Sequence, residues 1–123
     1  MSLINILEPN FEFQDERGSL VQLIRDGFKQ VNIISSIGGA IRGGHYHIKN
    51  REAFYVIKGK MILEIWDITE SKEKEKYEFN TGDMFEIPPF VAHDFTFLID
   101  TLLVSMYSEG VELENGKKDI ISV

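Results

Sequence analysis

Short runs of β-branched, leucine and aromatic residues recur along the chain, separated by turns rich in Gly, Asn, Asp and Pro. This rhythm is typical of an all-β sandwich or barrel. It predicts nine strands: Ser19–Ile24, Gln30–Ser36, Ala40–Ile48, Ala53–Ile57, Lys60–Ile68, Lys74–Phe79, Met84–Ile87, His93–Phe97 and Thr101–Tyr107. The pattern therefore indicates two antiparallel sheets that fold into a small barrel.

Glycines and polar residues mark the turns between these strands. The strongest signals are Asp26-Gly27, Gly38-Gly39, Lys58-Gly59, Asn80-Thr81-Gly82-Asp83 and Asn115-Gly116. The charged segment Glu70–Lys76 has a helix-like composition, but its mixed signs and its place between two strands favour a solvated hairpin loop. No internal repeat or linker is visible, so we predict one domain over residues 1–123.

The length and the net charge of the chain narrow the range of functions that it can have. A chain of 123 residues can bury a real core, although a partner subunit would help to stabilise it. Its 13 basic and 20 acidic residues give a net charge of −7, which argues against binding to DNA or RNA. The absence of cysteine excludes disulfides and thiolate ligands and is consistent with a reducing cytoplasm. The N-terminus lacks signal-peptide features, and Asp100 interrupts the most apolar stretch, so we expect a soluble cytoplasmic protein without membrane contact.

Three histidines and one glutamate are candidate metal ligands. His45 and His47 are two residues apart in a predicted strand, so both project to one side, with α-carbons roughly 7 Å apart. Glu52 opens the next apolar run after a short polar turn, and His93 adds a third imidazole. A single histidine more often satisfies a turn or packs in a core, but four such groups at these spacings favour a metal site. Three imidazole nitrogens and a carboxylate oxygen suit zinc, iron, nickel or manganese.

The same spacing resembles the cupin superfamily. Its first motif has five fixed positions, filled here by Gly39, His45, His47, Glu52 and Gly59. Its second motif is matched by Gly82, Pro88 and His93, whereas Phe90 and Phe97 stand where that motif usually has Gly and Asn. The resemblance implies an all-β double-stranded β-helix, or jelly-roll barrel, forming a single cupin domain. It also implies a homodimer.

Two further segments resemble enzymes of nucleotide-sugar metabolism. Asp15-Glu16-Arg17-Gly18-Ser19-Leu20 and Arg42-Gly43-Gly44-His45-Tyr46-His47 are similar to segments of dTDP-sugar 3,4-ketoisomerases. Their parts Asp15–Gly18 and Arg42–Tyr46 are also similar to segments of dTDP-4-dehydrorhamnose 3,5-epimerases, which have Gln at the position of His47. Cupin domains of capsule-synthesis proteins, which bind zinc and act on UDP-4-keto sugars, look similar as well. The resemblance extends over about residues 13–107, the predicted barrel core. It implies an isomerase or epimerase acting next to the ketone of a 4-keto-6-deoxy nucleotide sugar.

This resemblance assigns roles to individual residues. His45 would be the catalytic base, His47 is also implicated in catalysis, and Tyr107 is a shifted candidate for the family's acid tyrosine. Tyr55 or Tyr107 could donate a hydrogen bond to the substrate, and Arg17 and Arg42 are candidates for holding phosphate or sugar hydroxyls. A histidine bound to a metal cannot also be a free base, so His45 is either a base or a ligand.

Two other functions remain open. The three-histidine, one-carboxylate set could hold iron in a cupin oxygenase, or the barrel could bind a sugar or other small ligand without catalysis. Oxygen consumption by an iron form would identify the oxygenase, and ligand binding without turnover under any metal would identify the binding protein.

Overall fold

The computed structural model describes residues 2–69 and 73–123, and every regular element in these two ranges is a β-strand. The all-β prediction is confirmed. The strands are β1 (Asn5–Leu7), β2 (Phe11–Asp15), β3 (Gly18–Gln22), β4 (Gln30–Ser36), β5 (Ile41–Tyr46), β6 (Glu52–Lys58), β7 (Lys60–Asp67), β8 (Glu75–Asn80), β9 (Met84–Ile87), β10 (Val91–Phe97), β11 (Thr101–Tyr107) and β12 (Ile121–Ser122).

Two five-stranded antiparallel sheets form the barrel. One has the order β1-β9-β6-β11-β4, the other β12-β5-β10-β7-β8, and β2 and β3 form a separate hairpin. Alternation along each strand turns one face inward: on β7, Met61, Leu63 and Ile65 are fully buried, while the residues between them are partly exposed. Stacked phenylalanine rings from both sheets lie in this core: Phe54 and Phe85 on the neighbouring strands β6 and β9, and Phe79 on β8 of the other sheet.

The nine predicted strands correspond to β3–β11. The prediction missed β1, β2 and β12, which are two to five residues long and largely exposed, so that they show no buried face. The predicted loop Glu70–Lys76 lies partly outside the described residues, and β8 already begins at Glu75.

The glycine turns have the backbone that their sequence signals predict. A left-handed φ, which favours glycine, occurs at one glycine of each predicted turn: Gly27, Gly39, Gly59, Gly82 and Gly116. Phe90 occupies the position that is usually glycine in the second cupin motif, and it takes the same backbone conformation, with φ of 66°. Phe90 thus adopts a left-handed backbone conformation that normally favours glycine.

A β-bulge in β5 determines which side chains face the barrel interior. His45 pairs with His93 and Gly43 with Asp94, so Gly44 is an extra residue without a partner on β10. One extra residue reverses the alternation of side chains along a strand. Arg42 consequently faces the same cavity as His45.

Gly43 is expected to be intolerant of a side chain. A Cβ there would clash with the His93 carbonyl oxygen and would lie 2.7 Å from the Asp94 Cα, at a φ of 133°. We expect Gly43→Ala to lower the free energy of unfolding by about 3–5 kcal/mol, because backbone strain and overpacking add. Gly39→Ala is the control, since its φ is also positive but its Cβ meets nothing within 4 Å, and it should lose only about 1–2 kcal/mol. Equal losses in urea unfolding would contradict the bulge argument.

Candidate active site

A cavity of about 340 Å³ lies inside the barrel, and its walls differ in chemistry. One part of the wall is apolar and consists of Ile34, Phe54, Phe95, Phe97 and Leu103. The other part carries the polar and ionisable groups Arg42, His45, Glu52, His93 and Tyr107. Such a pocket can enclose the apolar part of a small ligand while it presents acid–base groups to the polar part.

The three histidines converge beside this cavity. His45 and His93 are cross-strand partners on β5 and β10, and His47 follows two residues after His45. The ring centroids of His45 lie 4.7 Å from His93 and 5.2 Å from His47. One ring nitrogen from each histidine lies within 4.8 Å of the other two, so the three could share one ion.

Glu52 links two of these histidines. Its Oε1 lies 3.0 Å from His47 Nε2 and 3.8 Å from His93 Nε2, and its Oε2 accepts a 2.6 Å hydrogen bond from Ser105 Oγ. Burial alone raises the pKa of Glu52, but the hydrogen bond from His47 and the positive charge of the protonated His47 ring hold that pKa below its ordinary value. Glu52 is therefore a buried carboxylate at neutral pH.

His47 is held at both ring nitrogens. Nδ1 donates to the Asp119 carbonyl oxygen over 2.5 Å, while Nε2 lies against Glu52. Burial by itself lowers the pKa of His47, but the Glu52 carboxylate raises the pKa above its ordinary value. Without a metal, His47 and Glu52 thus form a buried ion pair.

The pKa values of His45 and His93 are lowered, in contrast to that of His47. Burial lowers the pKa of His93 to about 4, and burial together with the neighbouring His47 lowers the pKa of His45. Both imidazoles are consequently neutral at pH 7. His45 is the more exposed of the two and lines the cavity, so a neutral proton acceptor faces the ligand space.

Two further predicted residues also line the cavity. Tyr107 packs edge-on against His47, with 5.3 Å between ring centroids, and burial and the Glu52 carboxylate raise its pKa, so its phenol stays protonated. Arg42 is held by Ser36, whose Oγ accepts a 2.8 Å hydrogen bond from Nε. Tyr107 can therefore donate a proton or hydrogen bond, and Arg42 brings a positive charge to the cavity.

The structure does not bring Arg17 and Tyr55 to this cavity. Arg17 lies in the β2–β3 turn, pairs with Asp15 and has a side chain that is 81% exposed. Tyr55 points to the outer face of β6, where it packs beside Met84 and Val104, because its neighbour Phe54 points inward. The positions of these two side chains in the structure do not support their predicted contacts with the substrate.

Sequence reasoning missed three residues that support the site: Asn50, Ser105 and Asp119. Asn50 is fully buried although its turn looked merely polar, and Ser105 on the neighbouring strand β11 donates a hydrogen bond to Glu52. Asp119 acts from a segment about 70 residues away in sequence. The periodicity of β11 could have placed Ser105 on the same face as Tyr107, but no local signal indicates a contact from the C-terminal segment.

Burial of His93 makes the stability of the metal-free protein pH-dependent. An unfolded histidine has a pKa of about 6.5, so between that value and the folded pKa of about 4 only the unfolded chain takes up the proton. The stabilisation is therefore fully present above about pH 6.5 and is lost as the pH falls toward 4. Between pH 7 and pH 5 we expect the wild type to lose about 2 kcal/mol more than His93→Gln. Urea unfolding with a chelator tests this, and equal losses would contradict it.

Comparison with known proteins places the chain in a family. Residues 13–119 match the polysaccharide biosynthesis C-terminal domain. The chain belongs to this family. It is 30% identical over 106 residues to the spore coat polysaccharide biosynthesis protein SpsL of Bacillus subtilis, covering 76% of this chain and 70% of that protein. It is also 32% identical over 77 residues to a 3-hydroxyanthranilate 3,4-dioxygenase of Podospora anserina, covering 62% of this chain but only 42% of that protein.

Solved structures with the same fold confirm the predicted cupin-type jelly roll of this family member. A dTDP-4-dehydrorhamnose 3,5-epimerase of Sulfolobus tokodaii superposes with a TM-score of 0.74 at 25% identity, covering 85% of this chain and 69% of that chain. The 3,4-ketoisomerase QdtA of Thermoanaerobacterium thermosaccharolyticum, in complex with TDP-4-keto-6-deoxyglucose, superposes with a TM-score of 0.78 at 18% identity. The match covers 98% of this chain and 88% of that chain. The capsular polysaccharide assembling protein CapF of Staphylococcus aureus superposes with a TM-score of 0.69 at 23% identity. The match covers 92% of this chain but only 34% of that chain.

Long apolar helices of the kind that cross a membrane do not occur in the part of the chain that the structure describes.

Proposed function

We propose that this protein is a nucleotide-sugar isomerase or epimerase that moves a proton next to the ketone of a 4-keto-6-deoxyhexose. The observation that carries the proposal is a neutral His45 facing a cavity that also presents a protonated phenol. The family and the epimerase and ketoisomerase neighbours support the same chemistry. Three residues act on substrate in this proposal: His45, Tyr107 and Arg42.

His45 is the general base of the proposed reaction. A hydrogen on the carbon beside a ketone is acidic, so a neutral imidazole can remove it and leave an enediolate. In an epimerisation a second group, for which the protonated Tyr107 is the candidate, delivers a proton to the same carbon from the other face, while His45 keeps the proton that it removed. In a 3,4-isomerisation the removed proton returns to C4, the O3 hydroxyl proton is lost as C3 becomes the ketone, and the former ketone oxygen gains a proton.

In the proposed reaction Tyr107 stabilises the negative charge that develops on the sugar oxygen, and Arg42 binds a polar or charged group of the substrate. The Tyr107 phenol donates a hydrogen bond to the oxygen on which negative charge develops and can deliver its proton there. Arg42 pairs with a phosphate oxygen or a sugar hydroxyl at the same cavity, since a guanidinium is suited to such groups. The apolar wall would receive the 6-deoxy carbon of the sugar, which has no hydroxyl to satisfy.

We also propose that His47, Glu52 and His93 hold a divalent metal ion. Their donor atoms are mutually close, and the Nδ1 hydrogen bond of His47 to a carbonyl leaves Nε2 directed inward, as in metal-ligating histidines. A bound ion would supply Lewis-acid stabilisation of the substrate oxygen. This assignment leaves His45 free as the base, whereas ligation by all four residues would require a different base.

Hydrogen exchange in deuterium oxide tests the proposed function. The purified protein is incubated with dTDP- and UDP-linked 4-keto-6-deoxyhexoses, and the hydrogens beside the ketone are followed by NMR. Exchange at C3 with a shifted ketone identifies an isomerase, and inverted configuration identifies an epimerase. Elemental analysis of the same sample identifies the ion. Absence of exchange with every such sugar, in both metal-loaded and metal-free protein, would refute the proposal.

The local similarity to a dioxygenase favours one alternative function. That relative matches over 62% of this chain, and three histidines with a carboxylate can also hold iron for oxygen chemistry. The alternative predicts oxygen consumption with the iron form and none with the zinc form.

A further inference from the structure

A buried polar pair, Asn50 and Asp119, fastens the C-terminal segment to the turn behind His47. Asp119 is 2% exposed, and its carboxylate accepts backbone hydrogen bonds from Ile48, Lys49 and Asn50 at 2.8–3.0 Å. It accepts a fourth from Asn50 Nδ2 at 2.8 Å. These donors hold the pKa of Asp119 below its ordinary value, although burial alone would raise it. A charged carboxylate therefore orders the whole turn.

Asn50 secures the start of the same segment. Its Nδ2 donates to the Gly110 carbonyl at 2.9 Å, and its Oδ1 accepts from the backbone nitrogens of Glu109 and Gly110 at 2.8 and 3.0 Å. Asn50 is fully buried, and both polar ends of its side chain are thus satisfied. A single amide side chain binds residues 109–110 and residue 119 to one turn.

The backbone of Asp119 then contacts the site itself, because its carbonyl oxygen is the partner of His47 Nδ1. A carbonyl can only accept, so Nδ1 must carry the proton and Nε2 is left to face Glu52. Beyond Asp119, β12 pairs with β5, placing Ser122 opposite His45, and Val123 donates to the Gly44 carbonyl. The C-terminal segment therefore lies along β5, which carries His45 and is followed directly by His47.

We infer that Asp119 and Asn50 are positioning residues of the active site: they hold the C-terminal segment so that its carbonyl fixes His47 with Nε2 directed inward. The side chains do not touch the ligand space, and their action passes through the backbone of residue 119. The inference rests on the proposed site, because it assigns these residues a task only if His47 acts there.

Asp119→Ala is the decisive variant, because it removes the carboxylate and leaves the carbonyl in the chain. The exposed acid Glu114, in the same C-terminal segment, gives the matched control Glu114→Ala. Three quantities are measured on the full chain: the imidazole ¹⁵N shifts of His47, the Kd for zinc, and kcat and KM. We expect Asp119→Ala to weaken zinc binding and to lower kcat by about 10–100-fold each, with KM changed by less than about threefold. The ¹⁵N shifts should show loss of the Nδ1-protonated form, and the control should match the wild type.

Asn50→Ala should also lower the zinc affinity and kcat. Asp119→Asn keeps one acceptor oxygen for the turn, so its losses of zinc affinity and kcat should lie between those of the wild type and Asp119→Ala. Unchanged ¹⁵N shifts and zinc affinity in a folded Asp119→Ala would overturn the inference. Should both alanine variants fail to fold, the zinc-loaded wild type still decides: an unprotonated or metal-bound Nδ1 of His47 overturns the inference, and a protonated Nδ1 supports it. Only kcat and KM need a sugar, so inactivity toward every sugar would refute only the proposed function, while the ¹⁵N shifts and the zinc affinity would still test the inference.

Discussion

Replacing Glu52 by Gln is expected to lower the free energy of unfolding of the metal-free protein by about 3–5 kcal/mol at pH 7. The substitution keeps the shape of the side chain but removes the negative charge that faces His47 at 3.0 Å and His93 at 3.8 Å. Removal of one partner leaves the other charge buried without compensation, which costs far more than loss of a surface pair. Urea unfolding in the presence of a chelator measures the loss.

Glu86→Gln is the matched control for this experiment. Glu86 also pairs with a cation at 3.0 Å, but its partner Arg51 has a side chain that is 40% exposed. A solvent-screened pair of this kind contributes about 0–1 kcal/mol to the free energy of unfolding. The loss of unfolding free energy should therefore be several-fold larger for Glu52→Gln than for Glu86→Gln. Zinc binding provides a second readout, since only the Glu52 variant should lose it. Similar small losses for both variants, with zinc binding retained, would show that Glu52 does not organise the site.

Strand positions were predictable because burial imposes alternation. Most of the nine predicted strands contain buried positions, and the inward residues of β7 and β10 follow a period of two. The same rule applied from Glu52 along β6 would have placed Phe54 inward and Tyr55 outward. The prediction that Tyr55 donates a hydrogen bond to the substrate rested on its hydroxyl group and did not apply this alternation.

The bulge and the C-terminal contact could not be derived from local sequence. A regular strand over Ala40–Ile48 would turn Arg42 away from His45, and the Gly43-Gly44 pair permits the bulge without requiring it. Asp119 reaches the site through a backbone oxygen, which every residue type possesses, so its identity carries no signal for that contact. Only the tertiary fold decides which carbonyl meets His47.

His45→Asn is expected to lower the rate of hydrogen exchange beside the substrate ketone by about 10²–10⁴-fold, the usual contribution of a general base. Asparagine keeps a polar side chain of similar reach but cannot accept and release a proton near neutral pH. The fold should survive, because His45 is only partly buried and the buried ion pair of His47 and Glu52 remains intact. The rate is measured by NMR in deuterium oxide, at a substrate concentration well above KM.

The same variant separates the two roles that His45 could have. If His45 is the base and the ion is held by His47, Glu52 and His93, zinc affinity should stay within about threefold while exchange is lost. If His45 is itself a ligand, zinc affinity should fall together with exchange, by about 10²-fold or more, since a coordinating side chain is lost outright. His47→Asn is the comparison variant, because it loses its contacts to both Glu52 and Asp119 and should lower stability as well as zinc affinity. Wild-type exchange in a folded His45→Asn would mean that another group removes the proton, and His93, the other neutral imidazole that lines the cavity, would then be the next residue to substitute.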